Sequence, residues 1–140
     1  MADEEIRQKY MELQIANEQL KQMQEQLQMV EAKRQEIADS VENVESIKNC
    51  KTGAPLLTPI ADGIFIKGEL KDNQGVIVNA GANVCVTKTI EDAKKMLKEK
   101  EEELGNYIKE LETEFETAVN EAKSLEQELG TMMKKTRKNV

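Results

Sequence analysis

The stretch GAPLLTPIADGIFIKGEL, residues 53–70, decides the fold because it interrupts two flanks composed mostly of Glu, Lys, Gln and Leu. It contains both prolines of the 140-residue chain, together with three isoleucines. A connection between two helices normally needs only a few residues. We therefore expect residues 53–88 to form a separate β-structured module.

Four short runs in this module are rich in Val and Ile, and turn signals such as Asp62-Gly63 separate them. The runs comprise residues 56–60, 64–70, 76–80 and 84–88. Runs of this length between Gly, Asn and Asp are typical of strands in hairpins. The sequence predicts two β-hairpins, and Pro55 and Pro59 are expected to keep the first strand at a sheet edge.

Both faces of these hairpins are predicted to be apolar, because Ile64 and Ile66 point to one side while Phe65 points to the other. A module of about 35 residues is too small to bury enough surface to fold alone. Other chains are therefore expected to complete the sheet, since unpaired apolar strands aggregate. The predicted oligomerisation residues are Ile64, Phe65, Ile66, Val76, Ile77, Val78, Val84 and Val86.

The N-terminal flank has the heptad pattern of a coiled-coil helix within residues 3–52, a segment without Gly or Pro. One row contains Ile6, Leu13, Leu20 and Leu27, and the second row is predicted to begin with Tyr10, Asn17 and Gln24. From Leu20 onward the apolar companions are Met23, Val30, Ile37 and Val44. This change of spacing predicts a stutter, in which the apolar stripe shifts around the helix.

The C-terminal flank carries a stronger heptad signal, which predicts a helix from about Ile90 to about Arg137. Thr89, followed by Asp92, is its expected N-cap. The two apolar rows are Leu97, Leu104, Leu111, Ala118, Leu125 and Met132, and Ile108, Phe115, Ala122 and Leu129. Each predicted helix is on the order of 70 Å long at the standard rise.

Two helices of equal length around a compact insert favour antiparallel pairing. The acidic start, Asp3 to Glu5, would then lie near the basic residues Lys134 to Lys138, although each cluster also suits its own helix dipole. We predict an α+β fold, namely a long antiparallel two-helix coiled coil with two β-hairpins at the connecting end, which strands of other chains are expected to complete. Its predicted domains are a helix at 1–52, the hairpins at 53–88 and a helix at 89–140.

Composition excludes several classes of function. The net charge of -7 and the single basic cluster near the C-terminus argue against a nucleic-acid partner. The chain contains no histidine, and Cys50 and Cys85 are expected to be reduced thiols, so we predict no metal, cofactor or catalytic site. The polar start and the lack of a long apolar run predict a cytoplasmic protein without a signal peptide or membrane anchor.

Four short motifs stand out in and just after the insert: Leu57-Thr58-Pro59-Ile60, residues 63–70 (GIFIKGEL), residues 76–81 (VIVNAG) and residues 89–93 (TIEDA). In these motifs the chain resembles the α-type subunit of prefoldin. The helices match the family in pattern alone, and two hairpins are typical of the α class. The resemblance implies a heterohexamer of two α-type and four β-type subunits, with a double β-barrel body and six coiled-coil tentacles.

The resemblance further implies an ATP-independent chaperone that holds non-native proteins at the tentacle tips and delivers them to a group II chaperonin. The candidate client contacts are Ile6, Tyr10, Met11, Leu13, Leu129, Met132 and Met133. Each is also explained by an ordinary seam position, except that Met11 and Met133 lie outside the best heptad rows. Met suits promiscuous binding because its unbranched chain repacks easily.

Two other classes of function stay open at this level. A structural coiled-coil scaffold, or a filament-forming prefoldin-like protein, would polymerise through the hairpins without holding clients. An enzyme is the weakest hypothesis, because the abundant Asp and Glu residues lie on solvated helix faces where no pocket shifts their pKa values.

Overall fold

The computed structural model describes residues 2–138, so Met1, Asn139 and Val140 of the predicted helical domains lie outside the described residues. Helix α1 (Ala2–Ser46) is followed by a short 3-10 helix (Ile47–Asn49). The insert contains strands β1 (Pro55–Ala61), β2 (Ile64–Glu69), β3 (Gly75–Asn79) and β4 (Cys85–Thr89), and helix α2 (Ile90–Lys138) completes the chain. The predicted order of helix, two hairpins and helix is confirmed.

The chain divides into two units. The first, here called the helical unit, comprises Met1–Lys33 and Leu104–Val140, of which residues 2–33 and 104–138 are described. The second, called the hairpin unit, comprises Arg34–Glu103 and contains all four strands.

In the helical unit, α1 and α2 run antiparallel, as predicted. Lys9 Nζ lies 3.1 Å from Glu128 Oε2, and Gln26 Nε2 donates a hydrogen bond of 2.9 Å to the hydroxyl of Tyr107. The later residue of α1, Gln26, therefore contacts the earlier residue of α2, Tyr107, as expected for antiparallel helices. The predicted heptad rows of α2 form the seam, and their most buried members in this unit are Ile108, Leu111, Ala122 and Leu129.

The predicted stutter in α1 is wrong. Tyr10, Asn17 and Gln24 are exposed, whereas the residues immediately before them, Lys9, Ala16 and Met23, are half-buried. The second row of the seam thus keeps one register, three residues after Ile6, Leu13, Leu20 and Leu27. Lys9 fits this row because its aliphatic stem covers apolar surface while its ammonium reaches Glu128.

In the hairpin unit, β1 pairs with β2 and β3 pairs with β4, both antiparallel, in two separate two-stranded sheets. The first turn uses Gly63 at a φ of 73°, and the register shifts between Pro59 and Ala61. In the second turn, Val84 N–H donates to the carbonyl of Gly81 at 2.9 Å. The two residues between them, Ala82 and Asn83, both have positive φ.

Side-chain and backbone hydrogen bonds define the helix ends of the hairpin unit. Although no Gly or Pro precedes Gly53, α1 ends at Ser46, and Asn73 Nδ2 donates to the Cys50 carbonyl at 3.0 Å beyond the 3-10 turn. At the start of α2, Asp92 N–H donates to Thr89 Oγ1 at 3.1 Å, which confirms the predicted N-cap. Ion pairs join Glu45 to Lys94 and Lys48 to Glu91, so α1 and α2 run antiparallel in this unit too.

Candidate functional site

Apolar side chains cover the outside of both hairpins. Of the predicted oligomerisation residues, Val76 and Val78 are half-buried, and the other six are exposed. Their exposed fractions are 56% for Ile64, 54% for Phe65, 50% for Ile66, 75% for Ile77, 56% for Val84 and 37% for Val86.

Both faces of the first hairpin are apolar, as the alternation predicted. The register places Ile66 opposite Thr58 on one face and Phe65 opposite Pro59 on the other. Sequence reasoning missed three more exposed apolar residues of β1, namely Leu56, Leu57 and Ile60. All three lie in the predicted strand 56–60, so the sequence pattern could have identified them. All seven residues of β1 and all six of β2 are exposed in the single chain.

Soluble monomers rarely expose contiguous apolar surface of this kind. Strands whose edges and faces are both uncovered also pair readily with other chains. The hairpin unit therefore exposes the kind of apolar surface that other chains usually cover.

The predicted tip residues divide into two groups in the helical unit. Tyr10, Met11 and Met133 are exposed, with exposed fractions of 52%, 56% and 46%. The remaining four belong to the seam: Ile6, Leu13 and Met132 are half-buried, and Leu129 is only 8% exposed.

Two exposed apolar residues of α1, Ile15 and Met29, were missed by the sequence reasoning. Their exposed fractions are 58% and 73%. Met11 and Met29 are 18 residues apart, which is five helical turns, so the two lie on one face of the helix, and Ile15 is one turn from Met11. The signal was available in principle, because all three fall outside both heptad rows.

The interhelical ion pair of Lys9 lies next to an open cleft of about 500 Å³ that is lined by Thr117, Asn120, Glu121 and other residues of α2. A hydrogen bond from Lys9 to Glu128 raises the pKa of Lys9 above its ordinary value, and the charges of Glu128 and Glu12 add to this shift. Apart from Leu125, the residues that line this cleft have polar or charged side chains, and the cleft is open to solvent.

Within residues 2–138, no group of three or more His, Cys, Asp or Glu side chains is placed to hold a metal ion. Cys50 and Cys85 are free, exposed thiols. Neither α1 nor α2 contains a segment apolar enough, over sufficient length, to cross a membrane.

Comparison with known proteins identifies the family. The model of the prefoldin subunit family matches residues 16–135, which include both hairpins and most of both helices. The chain belongs to the prefoldin family. Its similarity extends well beyond the insert that first pointed to it.

Two similar proteins are α subunits of prefoldin. Prefoldin subunit alpha 1 of Methanocaldococcus jannaschii is 30% identical over 132 residues, which is 85% of this chain and 91% of the relative. Prefoldin subunit alpha of Methanococcus aeolicus is 28% identical over 134 residues, 93% of this chain and 91% of the relative. The chain is thus an α-type prefoldin subunit, in agreement with its two hairpins.

A solved structure supports the fold independently. A chain in the cryo-EM structure of filamentous PFD from Methanocaldococcus jannaschii matches with a TM-score of 0.73 at 17% identity, covering 82% of this chain and 95% of that one. Prefoldin subunits are chaperone components that assemble with other prefoldin subunits. The exposed hairpins agree with this assembly.

Proposed function

We propose that this α-type subunit joins one-hairpin β-type subunits in a heterohexamer of two α and four β chains. The proposed particle holds non-native proteins without ATP and delivers them to a group II chaperonin in the cytoplasm. The observation that carries this proposal is the exposed apolar surface of the hairpins, which needs partner chains to cover it.

We propose assembly as the role of the hairpin unit and client contact as the role of the helical unit. In the hairpin unit, Ile64, Phe65, Ile66 and their neighbours would be covered by partner strands in a β-barrel. In the helical unit, Tyr10, Met11 and Met133 stay exposed next to a seam that is already closed. Several weak contacts on one unfolded chain would gain avidity through effective concentration, so no deep pocket is needed.

Assembly is tested by measuring the mass of the chain alone and with a one-hairpin prefoldin subunit. We expect a closed hexamer in the mixture. Replacing residues 54–88 by a short helix-to-helix loop should leave a helical chain that stays outside the hexamer. A particle of normal mass containing that variant would refute the assembly role of the hairpins.

Client holding needs its own assay. The purified mixed particle should suppress aggregation of a denatured model protein in the absence of ATP, and addition of a group II chaperonin with ATP should release folded product. A particle of the correct mass that leaves aggregation unchanged would rule out the holding function while leaving assembly intact.

A filament-forming scaffold is the second candidate, and the fold similarity to filamentous PFD is the observation that favours it. A filament would give an open-ended mass distribution that grows with concentration. A closed hexamer would give one mass over the same range.

A further inference from the structure

The methionines of the two helices fall into two groups. Within residues 2–138, three are about half exposed or more and are here called the exposed methionines: Met11, Met29 and Met133. The other three in this range, here called the covered methionines, are half-buried: Met23, Met96 and Met132. Oxidation of a thioether sulfur becomes faster as the sulfur becomes more accessible. The two groups are therefore expected to differ in reactivity.

Position in the coiled coil explains this difference. Met23 and Met132 belong to apolar rows of the seam, where packing between the helices covers part of each side chain. Met11 and Met29 lie on a face of α1 outside both rows, and Met133 directly follows the seam residue Met132 on α2. Oxidation confined to the exposed methionines would therefore leave the packing between α1 and α2 intact.

The hairpins contain no methionine. None occurs between Met29 and Met96, so all four strands lack this residue. The large exposed apolar side chains of the strands are those of Leu, Ile, Val and Phe, which contain no sulfur. Among the strands, sulfur occurs only in the thiol of Cys85. Oxidation at methionine would thus change the surface proposed for clients and spare the surface proposed for assembly.

We propose that the exposed methionines form a redox-sensitive modification site, at which oxidation to methionine sulfoxide weakens client holding while assembly persists. This inference rests on the proposed function and concerns regulation of the same surface, since Met11 and Met133 are candidate client contacts. The oxidant is a hydroperoxide. The sulfur lone pair attacks a peroxide oxygen, the O–O bond breaks, and the remaining fragment leaves as an alcohol or, from hydrogen peroxide, as water. The sulfur loses the two electrons that the peroxide gains.

Formation of the sulfoxide replaces an apolar, flexible side chain by a polar one. An unbranched thioether packs against apolar segments of many shapes. A sulfoxide oxygen buried against the same segments loses its hydrogen bonds to water, which costs free energy. Client affinity should therefore fall on oxidation. The change is reversible, because methionine sulfoxide reductases, each specific for one sulfoxide epimer, remove the oxygen as water while two thiols become a disulfide.

The first measurement is the oxidation rate of each methionine. The full chain is prepared with Cys50→Ser and Cys85→Ser, which remove both free, exposed thiols, and is treated with hydrogen peroxide. Peptide mass spectrometry should show that the exposed methionines gain oxygen several-fold faster than the covered ones. Equal rates in the two groups would overturn the proposed selectivity. Failure of the oxidised chain to form a particle with a one-hairpin prefoldin subunit, as judged by native mass, would also overturn the inference.

The second measurement is client holding by the mixed particle. The oxidised chain is freed of peroxide and mixed with an untreated one-hairpin subunit. We expect the particle to lose up to roughly a third of its capacity to suppress aggregation, because this chain supplies two of the six proposed subunits. Treatment with methionine sulfoxide reductases A and B should restore that capacity. Unchanged holding after complete oxidation of the exposed methionines would contradict the inference.

Two matched variants separate the polarity of the sulfoxide from other effects of peroxide. The Leu variant (Met11→Leu, Met29→Leu, Met133→Leu) retains apolar area and cannot form a sulfoxide, so peroxide should leave its holding unchanged. The Gln variant (Met11→Gln, Met29→Gln, Met133→Gln) carries polar side chains of similar length and should hold clients as weakly as the oxidised chain, without any peroxide. An equal peroxide effect in the Leu variant, or normal holding by the Gln variant, would argue against the modification site.

Failure of the modification site is distinguishable from failure of the proposed function. A particle that assembles but never suppresses aggregation, oxidised or not, would rule out client holding and the inference with it. A particle that holds clients equally well before and after oxidation would rule out the inference alone.

Discussion

The ammonium of Lys9 lies 3.1 Å from the carboxylate of Glu128 and 3.7 Å from that of Glu12, at a half-buried position of the α1 seam. Because these partners raise the pKa of Lys9 above that of an ordinary lysine, the folded state binds this proton more tightly than the unfolded chain. The resulting stabilisation is complete below the unfolded pKa and is lost as the pH rises through the folded value.

Replacing Lys9 by Met should therefore remove the part of the stability loss at alkaline pH that comes from deprotonation of Lys9. We expect the melting temperature of Lys9→Met to fall less than that of the unmodified chain as the pH rises above about 10, where ordinary lysines lose their proton. Lys21→Met is the matched control, because Lys21 is an exposed lysine of the same helix. Equal pH dependence in the Lys9 and Lys21 variants would contradict the assignment.

The Thr89 cap should contribute measurably to stability. Its hydroxyl accepts the Asp92 N–H at 3.1 Å, so Thr89→Ala should lower the free energy of unfolding by about 1 kcal/mol, as measured by chemical denaturation. Thr89→Ser keeps the acceptor and should lose much less. Equal losses in the two variants would show that the methyl group of Thr89, and not its hydroxyl, is what matters.

The α2 helix was predictable almost in full because its apolar rows coincide with strong helix formers and a recognisable cap. The second apolar row of α1 could not be predicted in this way, because Lys9 and Ala16 give a weak apolar signal while Tyr10 resembles a seam residue. Burial resolves the choice: Tyr10 is 52% exposed, and Lys9 is half-buried with its charge paired across the seam. A rule based on hydrophobicity alone cannot anticipate a lysine that contributes its stem to packing.

The end of α1 was also beyond local sequence rules. Nothing between Ser46 and Gly53 is a helix breaker, yet the helix stops because backbone groups there bond elsewhere, including the Cys50 carbonyl with Asn73 of the connection between the hairpins. The exposed apolar residues of the hairpins were easier to predict, since alternation places Phe65 and Ile66 on opposite faces of any strand. Exposure was harder to predict for the candidate tip residues, because seam positions and exposed positions share the same residue types.

Ala82 offers a test of turn strain in the second hairpin. Its φ of 49° lies in the left-handed region, which costs an ordinary L-residue about 1–2 kcal/mol. Ala82→Gly should raise the free energy of unfolding of the assembled particle by about 0.5 kcal/mol, because glycine removes this strain but has a more disordered unfolded state. Ala80→Gly, at the residue that follows β3 and donates its N–H to the Val84 carbonyl, should instead destabilise the hairpin. The same sign of change in both variants would argue against strain at Ala82.

Substitutions of exposed and of half-buried methionines in the helical unit should affect stability differently. Met11 and Met133 are about half exposed, so changing both to Ser should alter the free energy of unfolding by no more than about 0.5 kcal/mol. Met132 is half-buried in the seam, and Met132→Ser should lower that free energy by about 1 kcal/mol or more. Thermal and chemical denaturation of the unmodified chain, the Met11→Ser, Met133→Ser double variant and Met132→Ser measure this difference.

Suppression of aggregation should be weakened more by the Met11→Ser, Met133→Ser double variant than by Met132→Ser. The Met11→Ser, Met133→Ser double variant loses exposed apolar area, so it should hold a denatured model protein more weakly at unchanged particle mass, without abolishing holding, because other subunits share the client. Met132→Ser should hold clients nearly normally below its melting transition. Ile15→Ser with Met29→Ser, on the same helix face as Met11, shows whether holding extends along α1 beyond Tyr10 and Met11. Unchanged suppression by the Met11, Met133 variant would mean that clients bind elsewhere in the particle, and these residues would no longer be candidates for the client site.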